Sequence, residues 1–465
     1  MRIYSTLSNR KEDFAPIEEG KVKMYVCGPT VYDHGHLGHG RSAVAFDVIR
    51  RYLLYKGNVV TYVSNYTDID DKMINRAAEE GITVEQLADK IIPEYAADYG
   101  ALNVMKPDIQ PKATEYVEEM IELISRLEKG GYIYVIDGDG VYYDITKFED
   151  YGKLSGQNLD DLQMGSRVDV KEAKRNPQDF VLWKFKKEGE PFWPSPWGDG
   201  RPGWHIECSA MTWKCLGEKF DIHGGGLDLT FPHHECEIAQ SEGCFGSGSF
   251  AKYWLHNGFI NVDNEKMSKS LGNFFTLKSI FEKYDPSIVR FMFLQTHYRN
   301  PVNFSDVLLD QAKAGLQRLH DFVRKMERAE GKDLSSDQAS SEIAHLLKVA
   351  REGFESSMDE DFDTSGALGA IFDLVKGVNV LFDQDKIMSV DAEAVLSLLK
   401  IFDQVFAVIF VVQEEIDDEV QTLIKAREEA RANKDFAESD RIRDELLKKG
   451  IVVEDTASGT SWKRV

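Results

Sequence analysis

Apolar and polar positions divide the chain into regions of different period. Val22, Met24 and Val26 alternate with Lys21, Lys23 and Tyr25, the period of a half-buried strand. Ala45, Val48, Ile49, Tyr52 and Leu53 then recur at helical spacing until Gly57-Asn58 stops the run, and Val59 to Val63 begins a second strand. Together these pieces predict a βαβ unit and hence an α/β fold on a parallel sheet. Thr83-Val-Glu-Gln86 reads as a capping box opening another helix. After a helix ending near Lys129-Gly130-Gly131, Ile133 to Ile136 and Val141 to Ile145 flank Asp-Gly-Asp-Gly as a hairpin, which breaks the βα alternation. An inserted domain is therefore expected over 113–200 between a first half, 1–112, and a second half, 201–304. It closes at the Pro/Trp/Gly-rich run from Pro191 to Gly203.

Beyond 304 the texture becomes helical. Leu308, Ala312, Gly315, Leu316, Leu319, Phe322 and Val323 share one helical face, and Ala344 to Phe354, Ala367 to Phe382 and Ala392 to Val412 read as further helices. These stripes predict a bundle over 305–413, with core and no catalytic role on its apolar faces. A final module, 414–465, contains a charged helix from about Val420 to Asn433. No apolar run reads as long enough to cross a membrane.

A chain of 465 residues with 42% apolar content can bury several cores, and the length suggests about three domains. Its net charge of −23 argues at first against a nucleic-acid partner. The distribution softens that objection. Residues 331–420 carry six basic against twenty acidic side chains, whereas residues 421–465 carry ten against nine, a net of +1. An acidic face opposite a locally basic one can orient RNA, although such runs are usually just solvated surface. In the tail, Arg427, Arg431, Arg441, Arg443 and Trp462 combine guanidinium groups with an aromatic plane, the materials for reading splayed bases. The five cysteines, an odd number in a long chain with no signal-peptide pattern, favour a reduced, cytoplasmic protein over a secreted disulfide framework.

Three segments carry candidate chemistry. Cys27-Gly28-Pro-Thr-Val-Tyr-Asp-His-Gly35-His36-Leu37-Gly38-His39 lies between the first strand and its helix, where unpaired N–H groups and the dipole favour phosphate. Lys266-Met-Ser-Lys269-Ser270 puts two lysines and two serines on a Gly/Asn-flanked loop that could close on polyphosphate. Phe231-Pro-His233-His234-Glu235-Cys236-Glu237 opens an apparent helix in which His233 and Glu237, at i and i+4, share a face. With Cys27 and Cys208 they could make a four-ligand zinc site. By spacing alone Cys236 is as good a donor as Glu237, and His234 stays open too.

His-Leu-Gly-His and Lys-Met-Ser-Lys-Ser resemble the two signatures of class I aminoacyl-tRNA synthetases. Cys27-Gly28, Trp204-His-Ile-Glu-Cys208, Gly224-Gly225-Gly226-Leu-Asp228 and Phe231-Pro-His-His-Glu235 are similar to the cysteinyl-tRNA synthetase family, from Met1 to the last tryptophan. The resemblance implies a Rossmann-type parallel-sheet catalytic domain split by a connective insertion, an all-helical bundle and a small C-terminal anticodon-binding module. It implies zinc on Cys27, Cys208, His233 and Glu237, magnesium with ATP, and L-cysteine and tRNA-Cys as substrates, with no DNA or membrane partner. His36, Gly38, His39, Gly224, Gly225, Asp228 and Lys269 would meet ATP, with His36, His39, Lys266 and Lys269 catalytic. Gly28, Thr67 and Trp204 would meet cysteine, and Arg427, Arg431 and Trp462 the tRNA. Zinc would bind the substrate thiolate and so separate cysteine from serine, a sulfur-for-oxygen exchange that shape alone distinguishes poorly.

Three rivals fit the sequence less well, since the Arg/Trp tail, Lys266 to Ser270, and His39 with Lys269 are all present. A ligase joining activated cysteine to a sugar amine would share the zinc residues and both signatures without needing the Arg/Trp tail. A zinc hydrolase leaves Lys266 to Ser270 unexplained. A catalytically dead tRNA-binding protein would be expected to lack His39 or Lys269.

Overall fold

The computed structural model describes residues 1–157, 173–262, 265–266, 275–329, 339–410, 418–433, 435–449, 451–456 and 459–464. The chain forms two compact units, Met1–Phe410 and Val411–Val465.

The first unit opens with a hairpin of β1 (Arg2–Ser5) and β2 (Arg10–Asp13), followed by β3 (Lys21–Val26), α1 (Leu37–Tyr55) and β4 (Val59–Ser64). β3 and β4 pair in parallel, as the βαβ pattern predicts. Their sheet is completed by β9 (Lys219–Gly226) and β10 (Phe250–Asn257) in the order β10-β9-β3-β4, all parallel. Half-burial of β3 holds only at its start. Met24, Tyr25 and Val26 are all buried, because a parallel sheet is covered on both faces. Met24 and Val26 join the core shared with α1 and the bundle, whereas Tyr25 joins the core on the opposite face.

Between β4 and β9 the chain forms α2 (Asp71–Glu80), α3 (Val84–Ala101) and α4 (Val117–Lys129), then an antiparallel sheet and α5 (Trp204–Leu216). That sheet runs β5 (Ile133–Ile136), β6 (Gly140–Tyr143), β7 (Phe180–Phe185) and β8 (Gly200–Pro202). Thr83 caps α3 through the reciprocal bonds expected of a capping box with Gln86. β8 ends two residues before Trp204, so the sheet leads directly into α5, which carries Cys208 and packs on β9.

α6 (Glu235–Phe245) begins later than the sequence pattern suggests. Residues Thr230–His234 form a π-type turn with Phe231 extended, as the residue before a proline prefers. After β11 (Ile260–Val262) and β12 (Glu265–Lys266) come α7 (Leu277–Phe281), α8 (Pro286–Leu294) and β13 (Val302–Phe304). Most of the Lys266 to Ser270 loop lies outside the described residues.

The bundle comprises α9 (Asp306–Ala329), α10 (Ser341–Asp359), α11 (Thr364–Asp383) and α12 (Ser389–Phe406). α12 stops at Phe406, short of the expected Val412. Ala407 turns left-handed, and the Asp403 carboxylate accepts the N–H groups of Val408, Ile409 and Phe410. Contrary to the sequence reading, α11 is long and apolar enough by length and composition to cross a membrane. Here Ala367, Leu368, Ile371, Leu374, Val375, Val378 and Leu381 are buried in the core.

The second unit has α13 (Asp418–Ala432), α14 (Phe436–Lys448) and a hairpin of β14 (Ile451–Thr456) and β15 (Gly459–Arg464). Val420, Ile424, Ile442, Leu446, Ile451 and Val453 make its small core. The sequence reading recognised the first helix and passed over the second, whose charged surface dilutes its apolar stripe.

Candidate active site and metal centre

A cavity of about 580 Å³ opens at the carboxyl ends of the parallel strands and is lined by Cys27, Gly28, His36, Gly38, His39, Trp204, Gly226 and Asp228 among others. Gly28 in its wall and Gly224 on β9 behind it are both closely approached. A Cβ on Gly28 would lie 1.6 Å from the Asn65 carbonyl oxygen, and one on Gly224 would lie 2.4 Å from the Phe46 ring. Glycine is thus required at both positions. The run Gly224–Gly226 is the end of β9, paired with Leu255 to Asn257, so the three glycines are strand and not a turn after it.

His36 is the N-cap of α1. Its Nδ1 accepts from Gly38 N at 3.1 Å and His39 N at 3.4 Å, while His39 Nδ1 accepts from His36 N at 3.3 Å. The two rings stack at 3.6 Å between centroids, and the Tyr95 hydroxyl lies 3.2 Å from His39 Nδ1. Two histidines thereby perform the reciprocal capping usually done by Ser or Thr with Glu.

Cys27, Cys208, His233 and Glu237 converge, with their donor atoms all within 4.8 Å of one another. Cys27 Sγ is 3.7 Å from Cys208 Sγ and 3.5 Å from Glu237 Oε1, and His233 Nε2 is 3.1 Å from the same oxygen. A tetrahedral zinc with Zn–S of about 2.3 Å and Zn–N or Zn–O of about 2.0–2.1 Å gives edges of about 3.8 Å for S–S, 3.5 Å for S–O and 3.3 Å for N–O. The donor set and its spacing therefore fit such an ion. Burial, with Cys208 and Glu237 nearby, pushes the Cys27 thiol well up, while burial keeps His233 neutral, the form that ligates. A second set, Cys27, His223, His234 and Glu237, shares two of these donors. Cys236 belongs to neither; its Sγ faces the Tyr151 hydroxyl at 3.4 Å.

Two of the four donors have clear outer partners. His223 Nε2 lies 2.8 Å from Glu237 Oε2, and His205 Nδ1 lies 3.0 Å from His233 Nδ1. If His233 Nδ1 carries the proton and gives it to His205, Nε2 presents a lone pair to the centre. Trp204 stacks on His233 at 4.2 Å and connects the centre to the cavity. Thr67 is buried. Its hydroxyl bonds Glu207 at 2.9 Å and Asn65 Nδ2 at 3.3 Å, and its N–H donates to Pro29 O, which fixes the Gly28-Pro29 segment. The sequence reading did not include His223, Asn65, Glu207 or Tyr25. For Tyr25 a signal existed, since it lies two residues before Cys27, which directly follows β3, and alternate residues of extended chain share a face.

In the second unit Arg431 is exposed and Arg427 is only 4% exposed. The Trp462 and Lys266 side chains, and Lys269 altogether, lie outside the described residues.

Known proteins place this architecture. Among solved structures, a methionyl-tRNA synthetase of Mycobacterium tuberculosis matches 84% of this chain and 90% of its own with a TM-score of 0.62 at 15% identity. A putative arginyl-tRNA synthetase of Campylobacter jejuni matches 83% and 92% with a TM-score of 0.57 at 12% identity. The family model for the class I (C) tRNA synthetase catalytic domain matches residues 13–314, so fold and site define a class I aminoacyl-tRNA synthetase. A DALR domain matches residues 353–411, and a cysteinyl-tRNA ligase anticodon-binding domain matches 413–462. The cysteine–tRNA ligase of Clostridioides difficile is 50% identical over 471 residues, covering 100% of both chains. That of Geobacter metallireducens is 49% identical over 485 residues, covering 100% of this chain and 99% of its own. The chain belongs to the cysteine–tRNA ligase family.

Proposed function

We propose that this chain activates L-cysteine with ATP and transfers it to the 3′-terminal ribose of tRNA-Cys. The cysteine carboxylate attacks the α-phosphorus as the bond to pyrophosphate breaks. A terminal ribose hydroxyl then attacks the carbonyl carbon of the cysteinyl-adenylate and displaces AMP. The convergence of Cys27, Cys208, His233 and Glu237 beside a cleft containing His36 and His39 carries the reading. Zinc on those four residues would favour the cysteine thiolate over the hydroxyl of serine, because the thiol deprotonates on binding and is the softer ligand.

The protein's remaining work is positioning and charge stabilisation. With Nδ1 of His36 and His39 directed into the helix cap, the Nε2 edge of each ring is the one offered to ATP phosphates, beside the Gly38 backbone. Magnesium accompanies the nucleotide. Gly224 and Gly225 let the adenosine lie against β9, with Asp228 accepting from its ribose. Lys266 and Lys269 meet charge on the departing pyrophosphate as their loop closes. Gly28 and Trp204 contact the amino acid, and Thr67 fixes the wall that carries Gly28. The insertion at 113–200, the bundle at 305–413 and the module at 414–465 divide the rest of the task. Arg431, which is exposed, and Trp462 are the candidates for RNA contact, and the burial of Arg427 makes it a weaker one. The reaction belongs in the cytoplasm, where all five cysteines, free in this structure, stay reduced. The Arg/Trp module favours tRNA over a sugar amine as acceptor.

Cys208→Ser tests the core of this reading. The variant should lose bound zinc, measured by elemental analysis, together with cysteine-dependent ATP–pyrophosphate exchange. A zinc-free wild-type protein that still selects cysteine would refute it.

A further inference from the structure

Tyr25 occupies the penultimate position of β3, two residues before Cys27, and its side chain is completely buried. Its ring packs against His223, 5.3 Å between centroids, in the same core cluster as Cys208. The hydroxyl makes no hydrogen bond within ordinary limits. A buried hydroxyl left unpaired costs about 1–3 kcal/mol, so such a group is uncommon without a use. Its neighbours in that core are the thiols of Cys208 and Cys27, both of which add to the effect of burial in pushing the phenol's pKa up.

The other contacts of Cys208 sharpen the point. As a thiol, its Sγ lies 3.7 Å from Cys27 Sγ and 4.0 Å from Asn65 Oδ1, and that amide oxygen already accepts Gly28 N at 2.9 Å. As a thiolate it cannot donate to Asn65, and once Cys27 has also given up its proton to ligate, Cys208 loses the thiol that donates to it and needs another donor. His223 and His205 already stand behind Glu237 and His233.

We propose that Tyr25 is a positioning residue of the metal centre: its O–H donates to the Cys208 thiolate when the metal is bound and is left unpaired when it is absent. This inference rests on the metal reading given above. It has an unusual sign. The same hydroxyl should strengthen metal retention and weaken the metal-free fold, so a purely structural tyrosine cannot imitate it.

Tyr25→Phe keeps the ring and removes the donor. In the zinc-loaded full chain, release of zinc to a chromogenic chelator should become about 10- to 100-fold faster, the range seen when a metal ligand loses its outer partner. The metal-stripped variant should unfold at the same temperature as metal-stripped wild type or higher. In the cobalt-substituted protein the thiolate-to-cobalt charge-transfer band should move to lower energy, because an undonated thiolate holds its electrons less tightly. An unchanged release rate with an unchanged band overturns the proposal, as does a metal-stripped variant markedly less stable than wild type. A wild-type chain that takes up neither zinc nor cobalt overturns the metal reading and this inference together, whereas equal uptake and release by both chains overturns this inference alone.

Discussion

Asp98 shows how single residues around the cleft are poised. It lies on α3 near Glu94, His34 and Lys278, and burial first, then the Glu94 charge, raises its pKa from the usual 3.8 to about 6. Between those values the folded chain holds the extra proton, so stability falls as pH rises from about 4 to about 6. Asp98→Asn should therefore stabilise the protein by about 1–2 kcal/mol at pH 7, after discounting for solvent screening, and the gain should vanish below about pH 4. Denaturation curves across that range check it; a gain that persists at pH 3.5 would contradict the assignment. Much of the site was legible at this scale. Cys27, Cys208 and the His233/Glu237 pair are far apart in sequence, yet a family resemblance named them and the fold gathers them. Cys236 looked equal to Glu237 by helical spacing, but in the fold its thiol turns to the Tyr151 hydroxyl while Glu237 joins the donor group. The outer partners were not legible, because a buried Tyr or His carries no mark in the sequence of what lies across the sheet.

At the scale of elements, the period-2 and helical patterns located β3, α1, β4, α3, the insertion hairpin and the bundle helices. They failed where tertiary contact overrides local preference. Glycine disfavours a strand, yet the close approach of Phe46 to β9 demands it at 224. α1 is held by a buried charged junction that no periodicity could announce. Arg290 on α8 meets Asp47 on α1 at 2.6 Å and donates to the carbonyls of Phe406, Leu102 and Asn103, thereby joining α1, α8, α12 and the end of α3. Arg51 shares the same carboxylate at 2.8 Å. Arg290→Ala would strand part of that buried charge and the carbonyls of Phe406 and Leu102, Asn103 O keeping Arg51 as a donor, and should cost about 3–5 kcal/mol by urea denaturation. A loss below about 1 kcal/mol would show that water or Arg51 satisfies the junction unaided.

For the whole molecule, a net charge of −23 is a poor guide to a protein whose substrate is RNA. The local balance carries more information, since the described cavity wall holds a single carboxylate, Asp228, against Lys72, Lys106 and two histidines. The account's central claim is that this cleft activates cysteine, selected through the Cys/His/Glu centre, before any tRNA is engaged. Its most direct test is ATP–pyrophosphate exchange by the full-length, metal-replete protein with cysteine, serine and other amino acids supplied in turn. Exchange should require cysteine, proceed without tRNA and stay at background with serine. Equal exchange with serine, or none with cysteine, would contradict the account.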